Sequence, residues 1–128
     1  MNRTILMTRE TGEVTVQLYY EDVQHPAYYN NYRGIEVSQN VTVRVYGVTA
    51  TISEGRESIV YDSGGLSAQN YEVNYLFHQL CRSGYATIDE VRTAVRHEYS
   101  LWCRNRYSDA ISKRANQILK RKVRQWLY

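Results

Sequence analysis

Apolar and polar positions alternate along the first half of this chain and recur at three- and four-residue spacing along the second. Val14, Val16 and Leu18 alternate with Thr15, Gln17 and Tyr19, the period of a half-buried strand. Val41, Val43 and Val45 against Thr42, Arg44 and Tyr46 mark a second strand. It should run on past Gly47 through Val48 to Ile52, where β-branched residues suit a pleated surface. Ile5 to Met7 is a short apolar run, and residues 8–12 read as a turn, which predicts a hairpin across Gly12. A further turn over residues 53–56 returns the chain into a strand over 58–61. His25 and Pro26 are expected to end the earlier ladder, because proline cannot donate to it. Residues 27–34, rich in Asn, Tyr and Gly, read as a loop.

The period then changes. Val73, Leu76, Phe77, Leu80 and Cys81 hold helical spacing in a helix expected to begin near Ser67, with Gly84 placed as its C-terminal cap. Thr87 and Glu90 have the form of a capping box opening a second helix. Val91, Val95, Leu101 and Trp102 carry its buried side, and a break is expected over residues 105–108. In the last helix, residues 108–128, Ile111, Ala115, Ile118, Leu119, Val123, Trp126 and Leu127 fall on one side. Lys113, Gln117, Lys120 and Arg124 line the other, with Arg114 and Arg121 beside them. Strands first and helices after predict one α+β domain over residues 1–128, an N-terminal antiparallel sheet of hairpins packed against two or three C-terminal helices.

Composition sharpens this picture at two points. The chain has 128 residues and a net charge of only +3. That small net charge hides an asymmetry. Residues 1–66 carry five arginines against eight carboxylates, whereas residues 67–128 carry eleven cations against five. From Arg104 onward eight cations face Asp109 alone. Such a segment sets up a local positive field that attracts anions whatever the net charge. The second oddity is thirteen tyrosines to one phenylalanine. Tyrosine rings suit half-wet surfaces such as interfaces and base-stacking sites, and equally the outer layer of a small sheet core.

Catalytic chemistry finds little support in the sequence. His25, His78 and His97 lack the partners of a zinc site, and Cys103 has no base on its own face of the helix. Cys81 and Cys103 read as inert, reduced thiols. The glycines over 62–65 could form a phosphate nest, but a redirecting turn accounts for them better, since neither a P-loop nor a GxGxxG pattern is present. A non-enzymatic binding protein without cofactor or metal is therefore expected. No apolar run approaches the ~20 residues a bilayer needs, and nothing resembles a signal peptide, so a host-cell cytoplasm is the expected location.

The candidate ligand-binding residues are Arg104, Arg106, Lys113, Arg114, Gln117, Lys120, Arg121 and Arg124 of the basic helix. Arginine forks match phosphate oxygens, and amides can read a base edge. Tyr28, Tyr32 and Arg33 could stack a base and hold a phosphate, or meet another subunit. In length, strand-then-helix order and an Arg- and Asn-bearing terminal helix, the chain resembles in general plan the small viral counter-defence proteins. Among these are the Thoeris anti-defence sponges, oligomers of a bent sheet plus helices that sequester cyclic nucleotide signals. The resemblance is architectural and transfers no individual residue. It implies a phage or mobile-element protein, a homo-oligomer that captures an anionic ligand such as a cyclic nucleotide. Two other readings stand beside it: an inhibitor blocking a bacterial immune nuclease, and a nucleic-acid-binding protein.

Overall fold

The structure, a computed structural model, describes residues 3–11, 14–54, 56–82, 87–102 and 104–127. Strands β1 (Thr4–Thr11), β2 (Val14–Asn30), β3 (Glu36–Glu54) and β4 (Glu57–Asp62) come first, and helices α1 (Asn70–Arg82), α2 (Ile88–Trp102) and α3 (Arg104–Leu127) follow. The strands form one antiparallel sheet in the order β1-β2-β3-β4. The chain thus has the α+β architecture that its pattern predicts, with three helices.

β2 and β3 are far longer than the sequence pattern suggests. They pair without a slip from Val14↔Ile52 to Asn30↔Glu36, whereas β1 and β4 cover only one end of this ribbon. Four strands therefore taper into a two-stranded arm. The unbroken register fixes which residues share a face, since side chains alternate with period two. Val14, Val16 and Leu18 with Val48, Ala50 and Ile52 face α1 and α2, where they meet Val73, Leu76, Phe77, Leu80 and Val91. Along the arm, Ala27, Val41, Val43 and Val45 point the opposite way and meet Ala115, Leu119 and Val123 of α3. The ribbon runs between its helices, burying one face at one end and the other face at the other.

Tyr19 and Gly47 mark the crossover. They are cross-strand partners, and the Tyr19 ring, wholly buried, lies where a side chain at position 47 would have to be. A Cβ on Gly47 would come within 2.4 Å of the Tyr19 hydroxyl and 2.5 Å of the Gly64 carbonyl oxygen. Arg3 stacks on the same ring at 4.1 Å and pairs with Asp62 and Glu21. The Tyr19 hydroxyl donates to Asp62 Oδ1 at 2.9 Å, as does the Gly64 amide. Burial alone would push the Asp62 carboxyl up, but donation from Gly64, Arg3 and Tyr19 outweighs it and holds the group below its usual range. Burial, reinforced by donation to Asp62, pushes the Tyr19 phenol well above its usual value.

A group whose folded-state pKa is depressed contributes stability above its unfolded pKa and loses it as pH falls through the folded value. Asp62 should therefore weaken the fold progressively below about pH 4. In urea titrations across the acid range, Asp62→Asn should flatten the acid limb relative to the parent. An unchanged slope in the Asn variant would rule this network out as its origin.

Several local expectations need correction. The turn read over residues 8–12 is strand as far as Thr11, although β1 is irregular between Ile5 and Met7. β2 does not stop at His25 and Pro26 but passes through them to Asn30, so the first half of the loop read over 27–34 is strand, while residues 31–34 turn the chain into β3. The reason is positional: β1 pairing ends at Tyr20, so beyond it β2 is an edge strand whose outward amides are not needed, and Pro26 sits at one of them. α1 starts at Asn70, not near Ser67, because Ser67 bridges to Tyr46. The break read over 105–108 is helical, since α3 begins at Arg104. The Gly84 cap and Cys103 lie outside the described residues.

The capping box is present: Thr87 N–H donates to Glu90 Oε2 at 3.3 Å, and Glu90 N–H to Thr87 Oγ1 at 3.2 Å. Thr87→Ala should cost about 1 kcal/mol, measurable as a shifted urea midpoint with an unchanged m-value. No helix among the described residues is long and apolar enough to cross a membrane.

Candidate functional site

α3 lies along the arm and presents different residues to its two edges. Ala115 and Leu119 are fully buried beneath it. On one flank Asn116 Oδ1 accepts the main-chain N–H of Tyr28 on β2 at 2.9 Å, and Lys120 Nζ stands 5.7 Å from the Tyr29 ring centre. On the other flank Arg114, Gln117 and Ile118 line a cleft with Asp22, Thr42, Arg44, Tyr46, Ala68 and Gln69. Arg121 follows Ile118 on that flank at helical spacing. Lys113 and Arg124 occupy the exposed back of the helix.

The cleft has a volume of about 570 Å³ and a polar lining. Arg44 is its fixed point. Its guanidinium donates to Asp22 Oδ1 and Oδ2 at 3.0 and 3.4 Å and lies 4.0 Å over the Tyr20 ring, which in turn meets Tyr46 at a tilt. The Arg44 hydrogen bond holds the Asp22 carboxyl below its usual range. Arg114, by contrast, makes no ion pair with any described residue. Asp22, Arg44 and Arg114 together leave the cleft with one net positive charge. A fork held in place and a second one unpaired suit an anion, because little side-chain freedom at Arg44 remains to be lost on binding.

Thr42, Arg44 and Tyr46 of β3 line one side of the cleft. Tyr28 sends its N–H outward to Asn116, so in an antiparallel ladder its partner Ser38 also turns its main-chain groups outward. The same phase holds at the other end, where Tyr46 exchanges hydrogen bonds with Ser67 and Leu66, and Val48 with Ser63. Ser38, Asn40, Thr42 and Arg44 must therefore all direct N–H and C=O away from β2. β4 does not reach them, as its pairing begins at Thr49, and no main-chain hydrogen bond joins them to any other described residue.

The sequence candidates are distributed around this site unevenly. Arg114 and Gln117 line the cleft, and Arg121 stands beside it. Lys120 belongs to the opposite flank, and Lys113 and Arg124 to the back. Arg104 and Arg106 lie on the first turn of α3, with side chains outside the described residues. Tyr28, Tyr32 and Arg33 sit at the far end of the arm, where Tyr28 is 57% and Tyr32 69% exposed and Arg33 packs on the Tyr32 ring. Trp126, assigned to the buried side of the last helix, is instead 61% exposed.

Sequence reasoning missed Asp22, Thr42, Arg44, Tyr46 and Gln69. The pairing of Asp22 with Arg44 depends on the register between β2 and β3, which their separate patterns do not set. The phosphate nest considered at residues 62–65 is a self-satisfied turn, in which Gly64, at a φ of 70°, gives its amide to Asp62. Among the described residues no group of three His, Cys, Asp or Glu side chains could hold a metal ion. No protein family, curated protein or solved structure was found to match the chain.

Proposed function

We propose that this chain is a binding protein that captures an anionic segment of a partner protein in the cleft between α3 and the edge of β3. In keeping with its general plan, it acts by occupying a component of a host defence system rather than by chemistry on it. The observation that carries this reading is Arg44, held by Asp22 and Tyr20, facing Arg114, with which no described residue forms an ion pair, beside main-chain groups that no described residue hydrogen-bonds. The cleft lining supports binding over catalysis: among the described residues it offers no thiol or imidazole, and its one carboxylate, Asp22, is engaged by Arg44.

A nucleotide signal is the second reading, supported by the same arginines together with Tyr46 as a ring and Gln69 and Gln117 as amides. The edge of β3 favours a polypeptide over it, because a single nucleotide would use one end of that edge and leave Ser38 and Asn40 idle. Self-association would fall at the end of the arm, where Tyr28 and Tyr32 are exposed. Fluorescence anisotropy with a labelled acidic peptide, EEEVEEE, and with labelled adenosine monophosphate separates the two ligand classes. Binding of the peptide that weakens with salt, with the nucleotide bound at least tenfold more weakly, is expected. The reverse order would transfer the site to nucleotides, and no binding of either probe at millimolar concentration would remove the reading.

A further inference from the structure

We infer that the partner binds as a fifth β-strand, an extended acidic segment hydrogen-bonded to the β3 edge from Ser38 to Arg44. This deepens the proposal above and rests on it. The two edges of the arm are treated differently by the fold. On β2, Pro26 has no N–H to offer, and the Tyr28 N–H is taken by Asn116, two devices that prevent another strand from pairing there. On β3 the four outward positions carry Ser, Asn, Thr and Arg, none of which removes a donor, and no described residue pairs with their main chain on that side. The row that β4 occupies beside β3 is continued by Leu66 and Ser67 as far as Tyr46 and then stops. A strand entering at Arg44 would extend that row.

The surroundings specify its chemistry. Strand addition takes its affinity from main-chain hydrogen bonds and its specificity from alternate side chains. Arg114, Ile118 and Arg121 follow one another along α3 at steps of four and three residues, about 6 and 4.5 Å of rise. Alternate residues of an added strand are about 6.8 Å apart on one face. Side chains turned toward α3 would thus meet cation, apolar and cation in succession. Those turned the other way would meet Arg44. An acidic strand with one apolar residue at its centre fits this row.

Two perturbations of the main chain test the mode of binding with the EEEVEEE peptide. Thr42→Pro removes one outward N–H that the fold itself does not use, as Pro26 already does on the sister strand. Affinity should fall about tenfold or more in the proline variant. N-methylation of alternate peptide amides should abolish binding for one set of positions and spare the other, because only one edge of an added strand faces β3. This second measurement decides the matter should the proline variant fail to fold.

A folded Thr42→Pro that binds like the parent, or N-methylation equally harmful at both sets, would overturn strand addition. Loss of binding in Arg114→Gln under those same conditions would leave the charge-based reading standing. A parent dimer that Thr42→Pro converts to monomer would assign the edge to a second copy of the chain and overturn the proposal.

Discussion

Phe77→Ala should cost about 3–5 kcal/mol of stability, the range for deleting a fully buried aromatic ring. Phe77 is the chain's sole phenylalanine and is completely buried. It stands among Leu76, Leu80 and the Val16, Leu18, Val48 and Ala50 face of the ribbon, so the cavity has rigid walls and little with which to fill itself. A domain of this size has only about 5–15 kcal/mol in total. The loss is a large fraction of that total and should lower the urea midpoint sharply, while Phe77→Leu, which restores most of the volume, should stay within about 1.5 kcal/mol of the parent. Urea denaturation followed by circular dichroism reads both. A loss below about 1 kcal/mol for the alanine variant would mean that α1 does not pack on the sheet as described.

The helical half was legible because its apolar residues keep one period over long runs. Val73, Leu76, Phe77, Leu80 and Cys81 lie against the sheet as their spacing demands, and Thr87 and Glu90 cap as a pair because both partners are local. The β half was legible only in part. In β2 the buried positions run Val14, Val16, Leu18 and then Tyr19, Glu21, Ala27. That change of phase looks like the end of a strand, but here the strand continues and the covered face changes. Nothing in local composition distinguishes the two cases, since the second depends on α3, more than eighty residues away, covering the opposite face. Pro26 misled for a related reason: its missing donor matters in a central strand and costs nothing on an edge.

The candidate site divides along the same line. Arg114 and Gln117 could be found from the charge run in the last helix. Arg44 could not, because its value comes from Asp22 across the ribbon, and that register follows only from the full length of β2 and β3. The helical period placed Trp126 in the apolar stripe, where its angle around the axis does put it. It is exposed because, among the described side chains, the packing of α3 against the arm ends at Val123, a limit set by tertiary geometry. Nor did the cations act as one stripe: the width of the arm sends Arg114 to one edge and Lys120 to the other.

Replacing both Arg44 and Arg114 by glutamine tests whether they make one anion-binding cleft. Asp22 would remain, so the charge of the cleft would change from +1 to −1. Deleting either guanidinium takes away a charge-assisted hydrogen bond to the ligand, and each deletion should lower affinity about ten- to a hundredfold. Gln keeps much of the length and the polarity, and the Asp22–Arg44 pair lies at the surface, where such pairs add little to stability, so unfolding should be nearly unaffected. Lys120→Gln with Arg124→Gln removes the same number of charges from the opposite flank and the back, and serves as the comparison. Calorimetric titration of EEEVEEE into the parent and both double variants, at two salt concentrations, is the direct measurement. Affinity should fall a hundredfold or more for Arg44→Gln with Arg114→Gln and less than about threefold for Lys120→Gln with Arg124→Gln, with a weaker salt dependence in the former only. Equal losses in the two variants, or a cleft variant that binds as the parent does, would show that Arg44 and Arg114 do not form the binding site.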